Sequence, residues 1–144
     1  MNRVVCIDAS AIVPMLTAEK FTASATSRWK TWMEDDSRII APTLLGYEVT
    51  SAIYQKAFRA IMNPEDCQAA LHLFVEMDIE YIDLPELHLK ASILAKQFNR
   101  PNTYDAHYLA VADHFSCPLW TADERLFNTV KGKFQWIKWI EEID

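Results

Sequence analysis

Short apolar runs alternate along this chain with longer stretches whose apolar residues recur every three to four positions. The first run, Val4-Val5-Cys6-Ile7, ends abruptly on Asp8. A run this short and rich in β-branched residues predicts a buried strand. A short helix over 11–18 follows, with Ser10 as its cap and Pro14 in its first turn. Residues 21–34 carry an apolar stripe of Phe21, Ala25, Trp29 and Trp32, the signature of a second helix with these residues turned to the core. Further strands are predicted at 38–41, 79–82, 118–121 and 134–140, the last from the alternation in Phe134-Gln135-Trp136-Ile137-Lys138-Trp139-Ile140. Helices are predicted at 43–62, 64–77, 85–98, 103–115 and 123–130. Thr43 is placed to cap the first of these. Asn63-Pro64-Glu65 opens the next with a cap, a proline at the first position and an acid in the first turn. Strands alternating with helices predict an α/β domain with a central, mainly parallel sheet and helices on both faces. No repeat or low-complexity linker divides the chain, so residues 1–144 read as a single domain.

Composition narrows the chemistry. Only two glycines occur, Gly46 and Gly132, which excludes both the dinucleotide-binding loop and the P-loop. No apolar stretch has the length or flanks of a membrane span or a signal peptide. Cys6, Cys67 and Cys117 are odd in number and widely spaced, so neither a zinc site nor a disulfide framework is indicated. A reduced, cytoplasmic setting is expected. The formal net charge of −6 opposes nucleic-acid binding, unless the carboxylates are gathered to hold cations.

Four acids stand where a solvated surface would not put them. Asp8 and Asp123 both sit at the carboxyl ends of predicted strands. Glu48 falls inside the apolar face of its helix, between Leu44 and Ala52, and Asp105 lies at the edge of another such face, beside Leu109 and Ala112. Each has a structural reading: Asp105 suits the positive end of its helix, Asp123 can cap the helix after it, and Glu48 can reach water from a half-buried position. Together they can meet at one edge of a parallel sheet, where ligands bind in such folds. Carboxylates packed this closely cannot all ionise without a cation. All-oxygen ligation suits Mg2+ or Mn2+, which polarise phosphates and activate water. Neutralising four of the six net negative charges would leave about two.

The order Asp8-Ala9-Ser10, Tyr47-Glu48, Tyr104-Asp105-Ala106 and Thr121-Ala122-Asp123-Glu124-Arg125-Leu126 resembles the PIN-domain ribonucleases, and in size the VapC-type toxins of toxin–antitoxin pairs. The resemblance covers nearly the whole chain. It implies a three-layer α/β/α fold and an acidic pocket for Mg2+ or Mn2+ formed by Asp8, Glu48, Asp105 and Asp123, with Ser10 and Thr121 supporting the carboxylates. It further implies cleavage of single-stranded or structured RNA by metal-activated water, an antitoxin whose tail covers the pocket, and a homodimer with contacts near Trp29–Trp32 and Tyr54–Ile61. No strong basic stripe is present; Arg100, Arg125, Lys131 and Lys133 are the candidate phosphate contacts.

Other constellations are weaker. His72, His88, His107 and His114 lack metal-ligand spacing and read as ordinary histidines. Asp35-Asp36 and Asp113 read as solvated acids, and Cys6 as core. A receiver-type phosphoacceptor would need an acid beside Asp8, and an Asp-x-Asp phosphatase a second aspartate where Ser10 stands. A catalytically silent PIN-like RNA-binding or adaptor module stays open as the alternative.

Overall fold

Asp8 stands at the end of the middle strand of the sheet. In a computed structural model, which describes residues 3–143, the chain runs β1 (Val4–Ile7), α1 (Ala9–Leu16), α2 (Thr22–Glu34), β2 (Arg38–Pro42), α3 (Leu44–Phe58), α4 (Pro64–Glu76), β3 (Glu80–Ile82), α5 (Glu86–Gln97), α6 (Tyr104–Phe115), β4 (Leu119–Thr121), α7 (Glu124–Val130) and β5 (Ile137–Trp139). The strands form one sheet in the order β3-β2-β1-β4-β5. All four pairings are parallel, with Cys6 opposite both Ile40 and Leu119. Cys6, Ile7, Ile40, Ala41 and Leu119 are fully buried. A parallel sheet covered on both faces demands such continuous apolar runs, each larger aliphatic side chain contributing about 1.5–3 kcal/mol through burial.

The strand order fixes where the helices lie. Right-handed crossovers place α1–α4, which lead from β1 to β3, on one face, and α5–α7, which lead back to β4 and on to β5, on the other. Accordingly α1 packs against α2, α3 and α4, while α6 pairs with α5 and lies over β1, β2 and β4. The result is the three-layer α/β/α architecture that the alternation predicts. The direction of winding reverses between β1 and β4, so the crevice for a ligand opens at their carboxyl ends.

Several local expectations need correction. The alternation over 134–140 yields only three residues of strand, because residues 131–136 turn; Phe134, Ile137 and Ile140 are the buried members. Pro14 sits at the sixth residue of α1 rather than in its first turn, and lacks the N–H that would bond Ser10 O. Thr43 occupies the cap position of α3 but its hydroxyl caps nothing, because its backbone is already helical. Asn63 does cap α4, accepting from Asp66 N at 2.7 Å. The stripe on α2 behaves as core, with Ala25 and Trp32 buried and Trp29 packed edge-on against Trp32.

Candidate active site

The strand-to-helix junction after β1 sets Asp8. Its backbone is extended and its side chain caps α1, Oδ1 accepting from Ala11 N at 3.3 Å. The cap expected of Ser10 therefore belongs to Asp8: a cap must be the last extended residue before the helix, and Ser10 is already helical. Ser10 does different work. Its Oγ donates to Asp8 Oδ1 at 2.6 Å and accepts from Ala122 N at 2.9 Å. Thr121, the last residue of β4, donates to Asp8 Oδ2 at 2.6 Å and accepts from Asp123 N at 3.0 Å. Both hydroxyl protons thus point at one carboxylate, and the two oxygens stand 3.2 Å apart.

Asp8 is 5% exposed. Burial pushes its carboxyl up from an ordinary 3.8 to about 7; the two hydroxyls oppose the rise, and the negative charges of Asp123 and Asp105 add to it. Asp123 caps α7 through Leu126 N at 3.1 Å, so its structural reading holds alongside any other. Glu48 is half-buried and accepts a hydrogen bond from the Tyr108 hydroxyl. Burial raises its carboxyl too, with Tyr108 opposing and Asp105 adding. The Tyr108 phenol is held protonated by burial and by Glu48, so it serves Glu48 as a donor only.

Asp105, in the first turn of α6, is tied to Arg100 in the preceding loop, Nη2 to Oδ2 at 2.8 Å. Both line an open recess with Asp123, Glu124, Arg125 and Asn128. Asp105 and Asp123 both lie within electrostatic reach of Asp8, and Glu48 lies within reach of Asp105. As they lie, no three His, Cys, Asp or Glu side chains among the described residues stand close enough to share a metal ion: Asp105 leans to Arg100 and Glu48 to Tyr108. Of the other basic candidates, Arg125 lines the recess, whereas Lys131 and Lys133, in the turn after α7, do not.

Two partners escaped the sequence reading. Tyr108 reads as one more apolar position of α6, yet a buried tyrosine needs a partner for its hydroxyl, and that requirement is the signal that points to Glu48. The Arg100–Asp105 pair spans a loop and has no periodic signature.

Solved structures share this arrangement of strands and helices. PAE2754 from Pyrobaculum aerophilum matches at a TM-score of 0.64 and 20% identity, over 98% of this chain and 93% of its own. VapC20 of Mycobacterium tuberculosis, a toxin that cleaves the sarcin-ricin loop, matches at 0.65 and 12%, over 90% of this chain and 95% of its own. VapBC-1 from nontypeable Haemophilus influenzae matches at 0.60 and 15%, over 94% and 96%. Likeness at these identities shows the fold alone. No curated protein matches the chain by sequence. A family model of the PIN domain matches residues 6–136, from within β1 to the turn before β5 and across Asp8, Glu48, Asp105 and Asp123: the chain belongs to the PIN-domain family.

Proposed function

We propose that this chain is a metal-dependent endoribonuclease, the toxin of a toxin–antitoxin pair, acting as one domain through Asp8, Glu48, Asp105 and Asp123. The observation that carries the reading is Asp8: a buried carboxylate at the crevice of a parallel sheet, aimed by Ser10 and Thr121, and driven to about 7 by burial and by two neighbouring acids. Structure alone gives that excess of negative charge no purpose, since a neutral cap would serve α1 as well. Membership of the PIN-domain family supports nuclease chemistry, and the folds of two VapC-system proteins support the toxin assignment.

The donor set fits Mg2+ or Mn2+, being all oxygen and short of positive charge. Asp8, Asp105 and Asp123 would hold the ion, Asp105 leaving Arg100 to do so. A divalent cation there supplies charge neutralisation at a phosphate and a water of lowered pKa. The chain's own residues do the rest. Ser10 and Thr121 fix the Asp8 carboxylate. Tyr108 engages Glu48 Oε1 and leaves Oε2 to orient the attacking water and accept its proton. Arg100, once released, and Arg125 can meet the substrate's phosphates.

The antitoxin would lie over this recess. Tyr54, Phe58 and Ile61, all exposed, offer a face for a second copy, whereas Trp32 is buried in the core. Cys6, Cys67 and Cys117 are free and buried, which suits a reducing, cytoplasmic setting, and among the described residues no helix is long and apolar enough to cross a membrane.

The deciding experiment incubates purified, antitoxin-free protein with a mixed RNA pool in Mn2+ or Mg2+ and in chelator, beside the Asp105→Ala variant. Cutting that needs metal and disappears in the variant is expected. A folded protein that neither cuts nor binds metal would leave the second reading, a silent RNA-binding or adaptor module. The Arg100–Asp105 pair favours that alternative, since it supplies an internal counter-ion where the cation would sit.

A further inference from the structure

Beside the acids, on the same two helices, lies a separate cavity of about 260 Å³. Tyr47 and Tyr104 stand at its mouth with 77% and 58% of their surface exposed, over a floor that includes the buried Leu87 and Val111. Large exposed aromatics flanking an apolar recess are costly in water and call for a ligand. The volume falls just below the ~300 Å³ at which drug-sized pockets begin, a size for one flat ring rather than a larger molecule.

Helix geometry ties this cavity to the acids. On α3 the cavity takes Leu44 and Tyr47, and the next residue is Glu48. On α6 it takes Tyr104, His107 and Val111, one stripe at helical spacing, and the neighbouring stripe carries Asp105 and Tyr108. Each tyrosine is thus joined by one peptide bond to an acid of the candidate site.

The polar edge is defined by two histidines. His107 Nδ1 lies 2.7 Å from Thr103 O. A carbonyl only accepts, so that nitrogen carries the proton. His107 Nε2 lies 2.9 Å from His88 Nδ1, and a ring whose proton sits on Nδ1 accepts there. The proton of His88 is then on Nδ1, and Nε2 is left as an acceptor with no donor among the described residues. Asp83 lines the same cavity, and a carboxylate also accepts only. The walls therefore offer stacking faces and an edge of acceptors.

We propose that this cavity is a nucleobase subsite: it takes one base of a single-stranded RNA, stacked on Tyr104 and Tyr47, and favours bases bearing an amino group over uracil. The amino group donates to His88 Nε2 or to Asp83. The inference rests on the nuclease reading for the identity of the polymer, and it makes the occupant a base next to the scissile phosphate. Stacking supplies sequence-tolerant affinity, and the acceptor edge supplies selection.

The test separates binding from cleavage. The Asp8→Asn chain in chelator is titrated by fluorescence anisotropy with five-nucleotide oligo(A), oligo(C) and oligo(U). Oligo(A) and oligo(C) are expected to bind more tightly than oligo(U). Adding Tyr104→Ala weakens all three about 5- to 150-fold, the worth of one stacked base, whereas Tyr104→Phe keeps the ring and the affinity. Adding His88→Ala brings oligo(A) and oligo(C) down to oligo(U) and leaves oligo(U) unmoved. Unchanged affinities in both Tyr104→Ala and His88→Ala overturn the subsite. So does a dimer that Tyr104→Ala dissociates without altering RNA affinity, which would assign the cavity to a second copy. If the wild-type chain cuts RNA but neither variant alters affinity or cut positions, the subsite falls and the nuclease stands. If it never cuts yet binds as expected, the nuclease falls and the subsite stands.

Discussion

Asp8 carries opposed demands. Its position as the cap of α1 asks for an acceptor, which a neutral side chain meets, yet its surroundings penalise its charge. Between 3.8 and about 7 the folded chain holds a proton that the unfolded chain has lost. The contribution of this carboxyl to stability is therefore fully present below about 3.8 and lost as pH rises through about 7. At about 1.4 kcal/mol per pKa unit, the loss is at most on the order of 4 kcal/mol. Asp8→Asn keeps an acceptor for Ala11 N and Ser10, and lets Thr121 turn from donor to acceptor. In metal-free buffer, the melting temperature of this variant relative to wild type should climb between about pH 4 and about pH 8, and metal-dependent cutting should vanish. A difference that stays flat with pH would mean that Asp8 ionises without penalty. Arg100 presents the complementary case. It neutralises Asp105 at 2.8 Å with its side chain 19% exposed, so it competes with any other cation for that oxygen. Arg100→Gln should tighten Mn2+ binding about five- to tenfold, on the order of 1 kcal/mol, when titrated by calorimetry; equal or weaker binding would exclude competition.

The elements show what was legible in the chain and what was not. Strands β1 and β4 and the acids after them follow from composition, since a buried strand must be apolar throughout and must stop where Asp8 and Asp123 begin. Ser10 and Asp8 are equally good caps two residues apart, so only the phase of the helix, set by packing, chooses between them. The contacts that shape the site, Tyr108 to Glu48 and Thr121 to Asp8, bridge 60 and 113 positions; residue spacing holds no record of them until the sheet order is known. Helix ends were hidden for another reason. With so few glycines, α2, α3, α5 and α6 end on Asp36, Ala60, Asn99 and Ser116 in left-handed conformation. Aspartate and asparagine announce such turns, but serine and alanine do not, and the left-handed region costs alanine about 1–2 kcal/mol. Ala60→Gly, at φ 58°, should stabilise the chain by roughly 1 kcal/mol after the added freedom of the unfolded state is set against it, read as a higher denaturant midpoint with unchanged slope. No gain would mean that Ala60 is held there by packing worth more than the strain.

At the scale of the whole molecule, charge decides. A chain of net charge −6 repels a polyanion, and its acids at the β1–β4 crevice repel one another. One divalent cation answers both at once, so folding and metal binding should be linked: whatever binds only the folded chain stabilises it by RT ln(1 + [L]/Kd), about 2.7 kcal/mol at a hundredfold excess over Kd. For a chain of this length that amounts to a rise in melting temperature of roughly 5–10 °C. Nonspecific screening by added salt would mimic part of the effect, so Mn2+ must be compared with NaCl at equal ionic strength. Asp123→Asn sharpens the comparison. Asparagine caps a helix about as well as aspartate, so the bond to Leu126 N at 3.1 Å survives and α7 keeps its start, while one negative charge leaves the recess. The variant should melt at or above the wild-type temperature without metal and lose most of the Mn2+-dependent rise. If it keeps that rise in full, the cation binds elsewhere and the acids at the crevice serve the fold. If neither protein responds to Mn2+ beyond the salt control, Arg100 already fills the role of the cation, and the chain binds its partners without cutting them.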